Sequence, residues 1–266
     1  MSGPRKFSRR AAAGHCAALA MLSAISAAQA QSLPGIIGTD DRRPVSGNDP
    51  AWGAVGQVNI GGYRRRGLCS GTLIAPRVVV TAAHCVIDPA TKTPFRLQNI
   101  HFVAGIYKDQ SRGRAKASCL KFPPGYNYNG PQRLLPDLPF QRVPPSAFKL
   151  DMAIVVLDAE IDGVQPLRRL DAGQLRAGAS VSLASYPADR RYILTLHHGC
   201  KVLGRTEDFI ATDCDSQIGS SGGPLLVEKP GGPVIAAVLS GFVESAGSIF
   251  VPLSNWADLP TGATCP

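Results

Sequence analysis

Charged residues make up only 18% of this 266-residue chain, against 44% apolar ones. That balance excludes a disordered tail protein, which cannot bury enough apolar surface to offset its chain entropy. Aromatics are scarce at 6%, and the 28 Gly and 22 Pro follow no period, which excludes a collagen-like repeat. Almost no stretch carries the 3.6-residue apolar period of an amphipathic helix, and no internal repeat stands out. Close cysteine pairs are missing too: beyond residue 30 no cysteine lies within five residues of another. Zinc knuckles need such spacing, and no H-E-x-x-H is present, so no metal is expected.

The first thirty residues change the charge and cysteine arithmetic. Arg5, Lys6, Arg9 and Arg10 precede an Ala- and Leu-rich stretch from Ala11 to Ala28, followed by Ala28-Gln29-Ala30. A basic start, a modest apolar stretch and a small-x-small site read as an export signal cleaved after Ala30, by either the Sec or the twin-arginine route. His15, Cys16 and several serines interrupt the stretch, against a retained membrane anchor. Removal of residues 1–30 lowers the net charge from +9 to +5 and leaves six cysteines: Cys69, Cys85, Cys119, Cys200, Cys214 and Cys265. An even count in an exported chain reads as disulfides, and the location as secreted or periplasmic. The mild residual charge, with no nucleic-acid motif, gives no case for DNA or RNA.

The remainder reads as short strands between turns. Eleven are expected: 54–60, 68–74, 78–82, 99–104, 152–157, 180–184, 200–203, 209–212, 224–227, 234–239 and 248–251. Gly61-Gly62, Pro124-Gly125 and Pro230-Gly231-Gly232-Pro233 punctuate them. Helix is expected only as a turn near 82–86 and a short piece near 254–259. The pattern is all-β, a sandwich or a pair of barrels. Lys121 to Lys149 holds seven prolines and reads as a long surface loop, and Tyr63-Arg64-Arg65-Arg66 as a solvated hairpin turn. His197 and His198 face opposite sides of an extended strand and are not expected to share a metal.

Three segments carry chemistry. In Thr81-Ala82-Ala83-His84-Cys85, a histidine ends an apolar strand among small residues. Asp151 heads the strongly apolar Met152 to Leu157. Gly219-Ser220-Ser221-Gly222-Gly223-Pro224 sets glycines around a serine, allowing a tight turn with adjacent N–H groups aimed at one spot. Singly these read as a core histidine, a turn acid and a Gly/Ser turn. Together they supply a nucleophile, a base for its proton and a carboxylate to hold the base's tautomer. Gly219, Ser221 and Gly223 also satisfy G-x-S-x-G, but an α/β-hydrolase needs a histidine after the serine, and none follows Ser221.

On these segments the chain resembles the chymotrypsin-fold serine proteases, more closely the bacterial trypsin-like and glutamyl-endopeptidase-like branch. Cys69-Ser70-Gly71-Thr72-Leu73-Ile74 through Cys85 resembles the family's histidine segment with its flanking cysteine bridge. Asp151-Met152-Ala153-Ile154 resembles its aspartate strand, Gly219 to Pro224 its nucleophile loop, and Gly38-Thr39-Asp40-Asp41-Arg42 the start of the mature domain in the bacterial branch. The resemblance implies two packed six-stranded antiparallel β-barrels with the active site in the cleft between them. It implies a monomer without cofactor acting on proteins or peptides, with residues 31–38 a short propeptide and 39–266 the protease domain. His84, Asp151 and Ser221 would form the triad, and the N–H groups of Gly219 and Ser221 the oxyanion hole.

Where animal trypsin-like enzymes carry an aspartate before the nucleophile to pair with a newly cut amine, this chain has Ser220. Activation by that salt bridge is therefore not expected. Asp215, six residues before Ser221, resembles the acid at the base of an Arg/Lys pocket, although Cys214 precedes it and the usual cysteine between acid and serine is missing. The strand Val238-Leu239-Ser240-Gly241 lacks the histidine with which glutamate-specific relatives meet an acidic side chain. Cys69 is expected to pair with Cys85 and Cys200 with Cys214, leaving Cys119 for Cys265. A protease-fold binding or surface protein without turnover is the alternative to the enzyme.

Overall fold

The computed structural model describes residues 1, 3, 33–45, 49–62, 69–127, 148–243 and 246–265. The chain divides into a unit Met1–Gln31 and a unit Ser32–Pro266, and every described strand belongs to the second. The Tyr63 to Arg66 turn and most of the proline-rich insertion lie outside the described residues, as does the export signal apart from Met1 and Gly3.

Among the described residues there are thirteen strands, twelve of which form two closed barrels. After β1 (Arg43–Pro44) come β2 (Val55–Ile60), β3 (Cys69–Ala75), β4 (Val78–Thr81), β5 (Ile100–Ala104), β6 (Gly113–Lys121) and β7 (Ala153–Leu157). Strands two to seven close in the order β2-β3-β4-β7-β6-β5. Then β8 (Ser180–Ser185), β9 (Thr195–Arg205), β10 (Ile210–Thr212), β11 (Pro224–Val227), β12 (Val234–Val243) and β13 (Gly247–Pro252) make a second antiparallel ring, β9-β10-β13-β12-β11-β8, closed by β8 on β9. Closure removes the free sheet edges that would otherwise invite aggregation.

Residue type accounts for these strands. Val78, Val79 and Val80 in β4 and Ile154 to Leu157 in β7 are all at most 1% exposed, covered on both faces by the barrel interior and by packing from outside, so they read as continuous rather than alternating apolar runs. Each such side chain contributes roughly 1.5–3 kcal/mol by leaving water. One apolar cluster joins them to Tyr186, Val238, Val251 and Trp256 of the second barrel, while Val181, Leu183, Val202, Leu225, Leu239 and Phe250 form a separate core inside that barrel. All eleven expected strands are present. The two unexpected ones have physical reasons: β6 faces its core with only Ala115, Ala117 and Cys119, and β1 is two exposed residues. The expected helical pieces are the single 3-10 turns Ala83–Cys85 and Leu253–Asn255.

All three expected disulfides are formed: Cys69–Cys85, Cys200–Cys214 and Cys119–Cys265. The first two close short loops beside the site, and the third joins β6 to the segment after β13 across 146 residues. In the chain-entropy account the long closure stabilises by about 5 kcal/mol and a 16-residue one by about 3.

Residues 43–45 pair with the second barrel. β1 pairs with β9, and Val45 N–H donates to Leu194 O at 2.8 Å. Arg42, 1% exposed, forks onto Asp40 at 2.9 Å and onto Asp189 at 2.8 Å, and Arg190 reaches Asp40 at 2.8 Å. The Arg42 hydrogen bond draws the Asp40 carboxyl from 3.8 to about 2, with partial burial opposing it. A depressed folded pKa gives stability that is present above the unfolded value and lost as the pH falls through the folded one. The melting temperature of wild type is therefore expected to exceed that of Asp40→Asn above about pH 4, with the gap closing by about pH 2.

Candidate active site

Register brings the histidine and the aspartate together. β4 and β7 are antiparallel with Thr81 opposite Ala153, so the chain leaving β4 and the chain entering β7 meet at one end of the barrel. His84 sits on the 3-10 turn after β4 and Asp151 two residues before β7. Asp151 Oδ2 receives His84 Nδ1 at 2.7 Å, and Oδ1 accepts the His84 backbone N–H at 2.9 Å. Two bonds from one carboxylate to one residue fix both the position and the ring orientation of the imidazole, and leave Nε2 as the ring's free nitrogen.

A third donor reaches Asp151 from the other barrel. β12 bulges between Leu239 and Gly241, and the extra residue, Ser240, donates its hydroxyl to Asp151 Oδ2. A bulge is a device for re-aiming one side chain out of a regular strand. Burial alone would raise the Asp151 pKa, but the His84 charge, the His84 ring and backbone donors and the Ser240 hydroxyl together hold it below the ordinary 3.8. Asp151 is thus an anion at neutral pH although only 7% exposed.

Ser221 lies on the loop between β10 and β11. Its Oγ stands 3.5 Å from Ser240 O, and no hydrogen bond to His84 is made in this rotamer. Cys85 Sγ is 3.8 Å from both His84 Nε2 and Ser221 O, so the free ring nitrogen and the serine flank one disulfide sulfur. Gly222 N–H donates to Leu239 O at 2.7 Å and Leu239 N–H to Gly223 O at 2.8 Å, binding the loop to the bulged strand.

Every carbonyl around the two expected oxyanion donors is anchored. Ile218 O accepts Ala188 N–H at 2.6 Å, and Ser220 O accepts Gly223 N–H at 2.9 Å. In a trans peptide the N–H points opposite to the C=O, so the Gly219 and Ser221 N–H groups are turned away from these anchors. Neither donates to another described residue. That is the arrangement an oxyanion requires. Ser220, buried where relatives carry the activating aspartate, receives Ser185 Oγ at 2.9 Å and Gln217 N–H at 3.2 Å.

Gly222 has φ +79°, and a Cβ there would stand 2.2 Å from both Ser70 O and Thr81 Oγ1. Gly222→Ala is expected to cost about 3–5 kcal/mol, since neither the backbone conformation nor the space accepts it, and to lower Tm by about 10 °C or more in a thermal melt.

Asp215 is not an acid open to a substrate cation. Its side chain is fully buried, Oδ1 accepts Ile37 N–H at 2.8 Å, Oδ2 accepts Asp41 N–H at 2.9 Å, and the His197 ring lies 3.3 Å from Oδ2. Burial opposes its ionisation, but His197 and the two amides outweigh it and lower its pKa. Gly35 O and Pro34 O meanwhile accept Ser216 N–H and Gln217 Nε2, so segment 34–41 lies along the loop leading to Ser221. The same ring nitrogen, His197 Nδ1, also lies 2.8 Å from Asp215 N. His198 bonds Ser182 Oγ instead, so the adjacent histidines have separate partners.

Two groups of metal-ligating side chains come together among the described residues. Cys69, His84 and Cys85 offer no thiolate because the sulfurs are joined, and Asp41, His197 and Asp215 enclose a carboxylate already filled by amides.

The model of the trypsin-like peptidase domain matches residues 69–236. The chain belongs to that family. A solved structure of a Glu endopeptidase in complex with MPD superposes with a TM-score of 0.62 at 20% identity, over 82% of this chain and 92% of that one. At that identity the likeness establishes the fold, two barrels with a cleft between them. No curated protein sequence matches. This trypsin-like peptidase is a serine endopeptidase by family. Its structure brings His84 and Asp151 together, sets Ser221 across the Cys85 sulfur from them and closes Asp215 off. Sequence reasoning missed Ser240 and Ser70: each is a lone serine in an apolar or glycine-rich strand, and only the bulge or the inter-barrel contact makes it matter.

Proposed function

We propose that this peptidase is exported and cleaves peptide bonds through an acyl-enzyme, with Ser221 as nucleophile, His84 as base and then acid, and Asp151 as the orienting anion. The observation that carries this is the paired geometry: a buried Asp151 anion holding the His84 ring, and two N–H groups oriented and left unused beside Ser221. A turn about the Ser221 Cα–Cβ bond between staggered wells takes the hydroxyl from Ser240 O toward His84 Nε2. Oγ then attacks the substrate carbonyl while its proton passes to Nε2. The carbonyl oxygen takes the negative charge against the Gly219 and Ser221 N–H groups, each worth roughly 3–4 kcal/mol. Collapse expels the amine with the proton from Nε2, and water repeats the sequence to free the acid.

The side chain before the cut is not selected by Asp215 in this reading, because its charge is already met by two amides and His197. Three disulfides support an oxidising compartment and, with Ala28-Gln29-Ala30, a signal over residues 1–30. Residues 33–42 are packed on the second barrel, which favours their retention in the working enzyme. No helix among the described residues is long and apolar enough to cross a membrane, and a working monomer is proposed.

A fluorophosphonate probe tests the central claim. Labelling of the folded mature protein at Ser221, located by peptide mapping, is expected; folded protein left unmodified there would instead support a silent binding protein. Digestion of a peptide library tests specificity, and strong selection for Arg or Lys before the cut would overturn the reading of Asp215.

A further inference from the structure

The oxyanion loop is anchored from the first barrel by one side chain. Ser70, in β3 beside Cys69, is wholly buried. Its Oγ donates to Gly219 O at 2.9 Å and accepts Tyr186 N–H at 2.9 Å, and its own N–H donates to Ser221 O at 2.7 Å. Its carbonyl in turn receives Thr81 Oγ1 at 2.7 Å. The hydroxyl and the N–H of β3's second residue therefore both bond to the nucleophile loop.

We infer that Ser70 is a positioning residue for oxyanion stabilisation, setting the direction of the Gly219 N–H through both peptide planes that flank it. The inference rests on the proposed roles of Gly219 and Ser221. The plane after Gly219 is fixed directly, by the bond from Ser70 Oγ to Gly219 O. The plane before it is fixed by Ala188 N–H on Ile218 O, and Ala188 follows by two residues Tyr186, whose N–H ends on the same Ser70 hydroxyl. One oxygen thus couples both anchors.

Gly219 has φ +96°, and a glycine passes between backbone regions at little steric cost. Its neighbour supplies no charge to hold it: Ser220 makes only hydroxyl and amide contacts. Without the Ser70 hydroxyl, a buried carbonyl and a buried N–H both lose their partners. Reorientation of the glycine peptide is the cheapest way for them to find others.

The test is Ser70→Ala in the full mature enzyme, assayed with matched ester and thionoester substrates whose reacting carbonyl carries oxygen or sulfur. An oxyanion pocket set for oxygen discriminates against the larger, more weakly accepting sulfur. The alanine variant is expected to lose about 10–100-fold in kcat, less than removal of a donor itself, with KM changed by less than about threefold and the ester-to-thionoester ratio reduced several-fold. Ser70→Thr, which keeps the Oγ, is expected to restore the ratio. If Ser70→Ala does not fold, Ser70→Cys, with a weak donor of similar size, is read in the same way. An unchanged ratio overturns the inference whether or not kcat or Tm falls, since a merely structural serine lowers both substrates' rates alike. Wild type inactive on both substrates would instead refute the proposed function.

Discussion

Ser221→Ala is expected to lower kcat on a peptide substrate by about 10⁶-fold while leaving Tm within about 2 °C of wild type. The two halves of that expectation have separate causes. The Ser221 hydroxyl is half-buried and its closest polar contact is Ser240 O at 3.5 Å, so deletion strands no buried partner and opens little space. The backbone of the residue, by contrast, is held by Ser70 N–H on Ser221 O and stays in place with alanine. The variant keeps its oxyanion donors and its cleft, and the residual rate, about 10³–10⁴ over water, measures what those contribute alone. Activity within tenfold of wild type would mean that another group is the nucleophile.

Asp151→Asn is expected to lower kcat by about 10⁴-fold with little change in KM. The geometry gives the reason. In wild type one carboxylate oxygen accepts the His84 backbone N–H and the other accepts the His84 ring and the Ser240 hydroxyl. An asparagine has only one accepting oxygen. If that oxygen takes the backbone N–H, its amide group faces His84 Nδ1 and donates to it, so the ring proton moves to Nε2, the atom that must receive the serine proton. If the amide is flipped, its N–H₂ confronts the backbone N–H instead. The flipped form keeps the Nδ1 proton only by setting two donors against each other at a buried site, so the first arrangement, which gives up the base, is favoured. Since Asp151 is ionised through the neutral range, the loss should persist on moderate alkalinisation, and a pH–rate profile of the variant checks this. Recovery of wild-type kcat at higher pH would argue that the carboxylate acts only by its charge.

The strands were legible because inward positions are Val, Ile and Leu in runs bounded by glycine and proline, and the proposed triad because each member sits in a short segment whose neighbours are as informative as itself. The exceptions share a cause. β6 buries alanines and a cysteine, so its alternation carries little apolar signal. Asp215 was legible in position but not in direction: sequence offset from Ser221 places the Cα, whereas its carboxylate turns to Ile37 and Asp41, amides 178 and 174 residues away. Ser240 acts only because a register shift frees it from the ladder, and a bulge in a strand leaves no mark on apolar periodicity.

The two barrels hold each other's ends. Residues 34–44 run on the second barrel before the chain enters the first, and the segment after β13 returns to the first barrel, where Cys265 is bonded to Cys119 and Gly262 O meets Lys121. The connection between β7 and β8 is therefore no hinge: to swing the barrels apart would strip β1 from β9 or strain a covalent clasp. For the same reason, halves made by cutting between β7 and β8 would each lack a piece that the other carries, so the fold stands or falls as one cooperative body.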